Sequence, residues 1–179
     1  MRQTLLDSWN DRLLRLAFLC ILLMGTVVAS VIPFQSIIGI ERLGFTPKTY
    51  AVIILLGSLF SMIASVTVGI YSDQTGRYRA VLLGCIASGI GAGLLMYFAP
   101  SQIAFVLVHI ALLPIASTSF TQYFALASLA AKGNPSLNKD FSLSLVRAAF
   151  AASFGLTPPI WAFAIATGVD LFTDRKSVV

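Results

Sequence analysis

Charged side chains fall along the chain in short clusters, and the stretches between them are apolar. Uncharged runs cover residues 16–40, 49–72, 80–131 and 148–169. A bilayer core takes about 20 apolar residues per helix and rejects charge. The first, second and fourth runs therefore each predict one spanning helix. The third is too long for one span, and Ala99, Pro100, Ser101 and Gln102 supply the turn that divides it. The pattern predicts an all-α membrane protein with five transmembrane helices: a tail over 1–15, a spanning region over 16–169, and a second tail over 170–179.

Composition sharpens this reading. Hydrophobic residues make up 58% of the chain and charged residues 11%, against about 25% charged in soluble domains. Twelve Lys and Arg with seven Asp and Glu cannot cover the surface of a folded chain of this size, so lipid must solvate most of it. A disulfide scaffold, a disordered tail and a nucleic-acid binder are excluded on cysteine count, apolar content and the lack of a basic face. Cys20 and Cys85 both fall inside apolar runs and are expected to be small buried hydrophobes. The first run is longer than a signal-peptide core of about 7–15 residues and is kept as a helix. There is no P-loop, no His-Glu-x-x-His and no nucleophile beside a base, so neither enzyme activity nor a metal or other cofactor is expected.

Basic residues set the orientation, because cytoplasmic loops collect them. Arg2, Arg12 and Arg15, then Arg77 and Arg79, then Lys132, Lys139 and Arg147 fall on one side; Arg42 and Lys48 fall on the other. The expected protein is multi-pass in the inner membrane, with its N-terminus in the cytoplasm.

The second loop holds the tightest motif: Gly69, Asp73 four residues on, Gly76 three further, and then Arg77. Two helices must reverse here within few residues; Gly76 permits the turn, and Asp73 lies within reach of Arg77. The segment resembles the loop signature of the major facilitator superfamily, with Arg79 one place late and Tyr78 where a second basic residue is usual. That resemblance implies two six-helix halves, an aspartate that locks alternating states, and transport of a small molecule. Gln122-Tyr-Phe-Ala-Leu-Ala127, Arg147, and Gly155 ahead of Pro158 and Pro159 are similar to the sugar efflux group of that superfamily, with Thr157 replacing a glycine.

Small residues four apart at Gly57, Ser61, Ser65 and Gly69 line one helix face, and Gly89 with Gly93 makes a shorter row. Such rows let membrane helices approach closely.

Few polar groups are available inside the spans, and each has two readings, since buried polarity seeks either a partner or a cavity. Thr118 and Gln122, four apart after Pro114, either repair a kinked helix or face a cavity and bind sugar hydroxyls; Gln35 is a similar candidate. Tyr123 and Trp161 could cover the apolar face of a sugar ring, or simply pack. Arg147 could face headgroups, pair with Asp73 or Asp140, or hold sugar hydroxyls. His109, the one histidine, is either a helix contact or a proton relay. No uncharged span carries Asp or Glu.

The resemblance implies a half with six helices, and residues 170–179 are too few and too charged to cross a bilayer. The chain is therefore expected to be an incomplete six-helix half, a truncated N-terminal portion of a sugar efflux-like transporter, inactive without its missing C-terminal helices. A multidrug exporter of the same superfamily and a five-span assembly or scaffold protein are the alternatives.

Overall fold

The structure, a computed structural model, describes residues 9–135 and 137–167. The expectations for residues 1–8, Arg2 among them, and for the tail over 170–179 lie outside the described residues. Among those described, five helices are long and apolar enough to cross a membrane: α1 (Arg12–Phe34), α2 (Pro47–Thr75), α3 (Tyr78–Phe98), α4 (Gln102–Gly133) and α5 (Lys139–Ala166). No strand occurs among the described residues. The chain is an all-α membrane protein.

Helix starts follow capping chemistry more closely than the onset of apolar sequence. Asp11 Oδ1 accepts hydrogen bonds from the backbone N–H groups of Leu13 and Leu14, both at 3.0 Å, so α1 begins ahead of its uncharged run and takes in Arg12 and Arg15. Asn138 Oδ1 likewise accepts from Phe141 N at 3.0 Å, and Asp140 in the first turn of α5 complements the positive end of the helix dipole. Thr46 caps α2, with Pro47 in its first turn. The turn expected at residues 99–102 separates α3 from α4, and Ser101 Oγ there accepts from Ala104 N at 3.1 Å. Charge alone under-reads such helices, because the headgroup region tolerates charged first turns.

Two spans depart from α geometry. The end of α1 tightens into a 3₁₀ turn at Ile32–Phe34, where Pro33 removes a donor, and the chain continues as a π-helical turn over Ile37–Arg42. In α4 a π-helical segment, Val108–Leu112, precedes Pro114, and the α-helix is interrupted again at Thr118. Hydroxyls bond to carbonyls around the second interruption, though none among the described residues to the Ile110 carbonyl that Pro114 leaves without its donor: Ser117, Thr118 and Ser119 donate to the carbonyls of Pro114, Ile115 and Ala116 at 2.8, 2.8 and 2.7 Å. Ser88 on α3 donates to Leu112 O at 2.8 Å.

The interrupted α4 is the pivot of the bundle. Residues 108–117 carry α2 and α3, while its C-terminal part carries α1 and α5. The main apolar cluster sits in that second group, with Leu14, Ile21, Tyr123, Ala127, Val146 and Ala149 buried together. Close backbone approach holds α1 to α5 at Gly25, where an added Cβ would stand 2.7 Å from Ser153 Cβ. Ser153 Oγ also donates to Leu22 O at 2.9 Å. In lipid, tight packing and such hydrogen bonds are what hold helices together, since burial of apolar surface contributes little. Large apolar side chains such as Leu23, Leu55, Leu83, Ile90 and Phe163 point outward, as lipid-facing residues must.

Candidate functional site

A groove of about 470 Å³ opens between α1, α2 and α4, within the range of about 300–1,000 Å³ usual for small-molecule sites. Most of its wall is aliphatic, and its polar members are Gln35 just beyond α1, Ser58 and Ser61 from α2, and His109 and Ser117 from α4. None of the residues lining it is Asp, Glu, Lys or Arg. A row of small residues on α2 makes room for it. At Gly57 that row touches α4 so closely that a Cβ would meet the carbonyl oxygen of His109 at 2.6 Å; Ser58 and Ser61 then line the open part.

His109 is buried, and its placement fixes its hydrogen-bonding roles. Nδ1 lies 2.8 Å from Phe105 O. A carbonyl can only accept, so Nδ1 carries the proton and the neutral ring keeps its lone pair on Nε2. That nitrogen is buried with no partner among the described residues. The ring stacks on Phe105, with centroids 3.9 Å apart and planes 26° from parallel. Phe105 is in turn seated against Phe45 and Tyr50. The π-helical turn around His109 is of a kind that recurs at functional sites.

Of the residues singled out in the sequence for ligand contact, Gln35 alone lines the groove. Thr118 is buried against α3, where it donates to Ile115 O and accepts from Cys85 Sγ at 2.9 Å. Cys85 is thus a hydrogen-bonding link and not only a small hydrophobe, while Cys20 is half-buried. Gln122 is buried and donates through Nε2 to Ser72 Oγ on α2 at 3.2 Å, and its Oε1 has no partner among the described residues. Thr118 and Gln122 therefore tie α4 to α3 and α2 instead of sharing a cavity wall. Tyr123 belongs to the apolar cluster of α1, α4 and α5. Arg147 is exposed two turns into α5, with its guanidinium carbon 5.9 Å from the centre of the Phe124 ring. Trp161 donates to Ser30 Oγ at 2.8 Å and joins α5 to α1.

The second loop keeps its turn. Gly76 ends α2 at φ 65°, a left-handed conformation that favours glycine. Asp73 Oδ1 accepts from the Tyr78 hydroxyl at 2.9 Å, so the residue that departs from the motif supplies a partner for the aspartate, in place of the Arg77 expected from spacing. Among the other small residues, Ser65 is half-buried, and a Cβ on Gly89 would meet Ala116 Cβ at 3.4 Å. Gly69 and Gly93 face open space, so neither makes the close approach expected of it within this bundle. Sequence reasoning missed the groove around His109. A lone histidine in a span was its one visible signal, since the π-helical turn leaves no pattern in the sequence.

No protein-family model matches the chain, and no solved structure gives a significant match. The chain is similar to a curated protein of Deinococcus radiodurans named "Putative sugar efflux transporter", at 24% identity over 144 residues. That match covers 80% of this chain and 37% of the relative, so the chain spans well under half of the relative's length.

Proposed function

We propose that this chain takes part in moving sugars or related small neutral molecules across the inner membrane, as an efflux component working by alternating access, with its N-terminus in the cytoplasm. The observation that carries the reading is the groove between α1, α2 and α4: a polar-flecked cavity in a bundle otherwise solvated by lipid. Polar groups inside a membrane mark substrate paths, because they are costly anywhere else. The similarity to a protein named as a sugar efflux transporter and the tight Gly76 turn in the superfamily-like loop support it. Alternating access rocks two halves about a central site. In this reading the five helices belong to one half and work with further helices, and the groove is their share of the path. No catalytic step and no cofactor enter the reading.

Export of cationic drugs, the alternative within the same superfamily, fits less well, because a cation in the groove would find no carboxylate. A scaffold role gives the groove no purpose.

The test is saturable binding of radiolabelled glucose, lactose or sucrose to the purified chain in lipid nanodiscs, competed by the unlabelled sugar. Absence of saturable binding for all three sugars would end the sugar reading. Reporter fusions at the N-terminus should report a cytoplasmic location, and an external one would overturn the proposed orientation.

A further inference from the structure

We propose that the groove is an acceptor-lined site that selects ligands by the hydroxyl hydrogens they donate, with the Nε2 lone pair of His109 as its central acceptor. The inference rests on reading the groove as the ligand site, and goes further by assigning the chemistry of recognition.

Three of the five polar groups around the groove have already committed their own hydrogens. Ser58 Oγ donates to Ile54 O at 2.9 Å, and Ser117 Oγ donates to Pro114 O at 2.8 Å. Each hydroxyl therefore has only lone pairs left to offer. His109 spends its one hydrogen on Phe105 O and keeps a buried, unpartnered acceptor. Its ring is held by the Phe105 stack, and its backbone is held against Gly57. Turning the ring over to present a donor would break the bond to Phe105 O. Gln35 and Ser61, the other two, can still donate as well as accept. A complementary ligand then supplies hydrogens to the three groups that can only accept, and with no charged residue in the wall it does so without net charge. A neutral polyol meets both conditions; an ether, ester or tertiary amide of the same size meets only the second.

In the packing described, Nε2 is shut off from solvent. In this proposal a ligand hydroxyl reaches it when the packing around the ring opens. A hydroxyl bound there removes the cost of an orphaned acceptor, so recognition and movement are coupled at the same atom.

His109 is the chain's one histidine, so a ¹⁵N-histidine sample reports this ring alone. The experiment follows the Nε2 resonance of the protein in nanodiscs while glucose, lactose or sucrose is added, each beside its fully O-methylated form. Expected are a movement of the unprotonated Nε2 signal toward the hydrogen-bonded range with the sugar, and neither movement nor saturable binding with the O-methylated form. In binding assays, His109→Phe should weaken the sugar about five- to tenfold, the usual value of one neutral hydrogen bond. His109→Gln, which keeps an acceptor, should stay within about twofold to threefold. Sugar binding with an unmoved Nε2 signal, or equal binding of the O-methylated sugars, overturns the inference while leaving the transport reading in place. Should no sugar bind at all, the transport reading fails first, and the binding assay alone reveals it. Because the resonance is read on the unaltered chain, the outcome does not depend on whether His109→Phe folds.

Discussion

The α-carbon of Gly57 packs directly on the backbone of His109: a β-carbon added there would stand 2.6 Å from the histidine's carbonyl oxygen. Real Cβ atoms do not come that close, and a backbone oxygen inside a helix cannot swing aside. Gly57→Ala should therefore push α2 off α4 and lower stability by about 1–3 kcal/mol, the usual range for overpacking. Gly93→Ala, at a position facing open space, should cost nothing. Thermal unfolding of the two variants in detergent checks this, and equal melting points would show that the contact does not constrain the helices.

Ser72 and Gln122 make an asymmetric pair. Gln122 Nε2 donates to Ser72 Oγ at 3.2 Å, while Gln122 Oε1 has no partner among the described residues. Removing the serine hydroxyl strands a buried amide donor, so Ser72→Ala should destabilise by about 1–2 kcal/mol. Gln122→Met replaces a half-satisfied amide with an apolar chain of similar length and should be close to neutral. Chemical denaturation in mixed micelles separates the two. A larger loss in Gln122→Met than in Ser72→Ala would mean that Oε1 is satisfied after all.

The five spans were legible because charge exclusion by lipid acts on each helix alone: residues 16–40 and 49–72 declare themselves without reference to any neighbour. Helix ends were less so, since Asp11 and Asn138 extend α1 and α5 into sequence that carries Arg12, Lys139 and Asp140. The Gly76 turn was readable for the same local reason, as only the backbone conformation at one residue is involved. The partners of polar residues were not. Whether Thr118 meets a cavity or Cys85, and whether Asp73 meets Arg77 or Tyr78, depends on helix rotation, which an apolar stripe of low contrast does not fix. The groove was hidden for a further reason: it depends on a π-helical turn at Val108–Leu112 that shifts the register of α4, and nothing in residue type at those positions encodes the extra residue.

The two glycines of the loop motif should separate in sign. Gly76 sits at φ 65°, where a β-carbon costs about 1–2 kcal/mol, so Gly76→Ala should destabilise. Gly69 lies inside α2 with nothing near its absent side chain. There alanine has the better helix propensity, by about 0.8–1.0 kcal/mol, and Gly69→Ala should be neutral or stabilising. Melting temperatures of both variants decide it; a loss at Gly69 equal to that at Gly76 would imply that another surface packs on this face of α2 in the assembled protein.

Gln35 and Arg147 offer the sharpest choice between the two places where a sugar could bind. Gln35 is half-buried in the groove wall with an amide free to donate and accept. Arg147 is exposed on α5 with its guanidinium over the Phe124 ring at 5.9 Å, and it lines no part of the groove. A cation–π contact at such a site contributes about 0.5–1 kcal/mol to stability, and nothing in that geometry reaches a ligand between α1, α2 and α4. Gln35→Ala should therefore weaken sugar binding about three- to tenfold, from the loss of one neutral hydrogen bond. Arg147→Ala should leave affinity unchanged and lower the melting temperature slightly. Equilibrium binding on both variants in nanodiscs distinguishes the sites, because each substitution affects one of them and spares the other. The reverse result, affinity lost at Arg147 and kept at Gln35, would move the ligand to the α4–α5 surface and leave the groove without a role in binding.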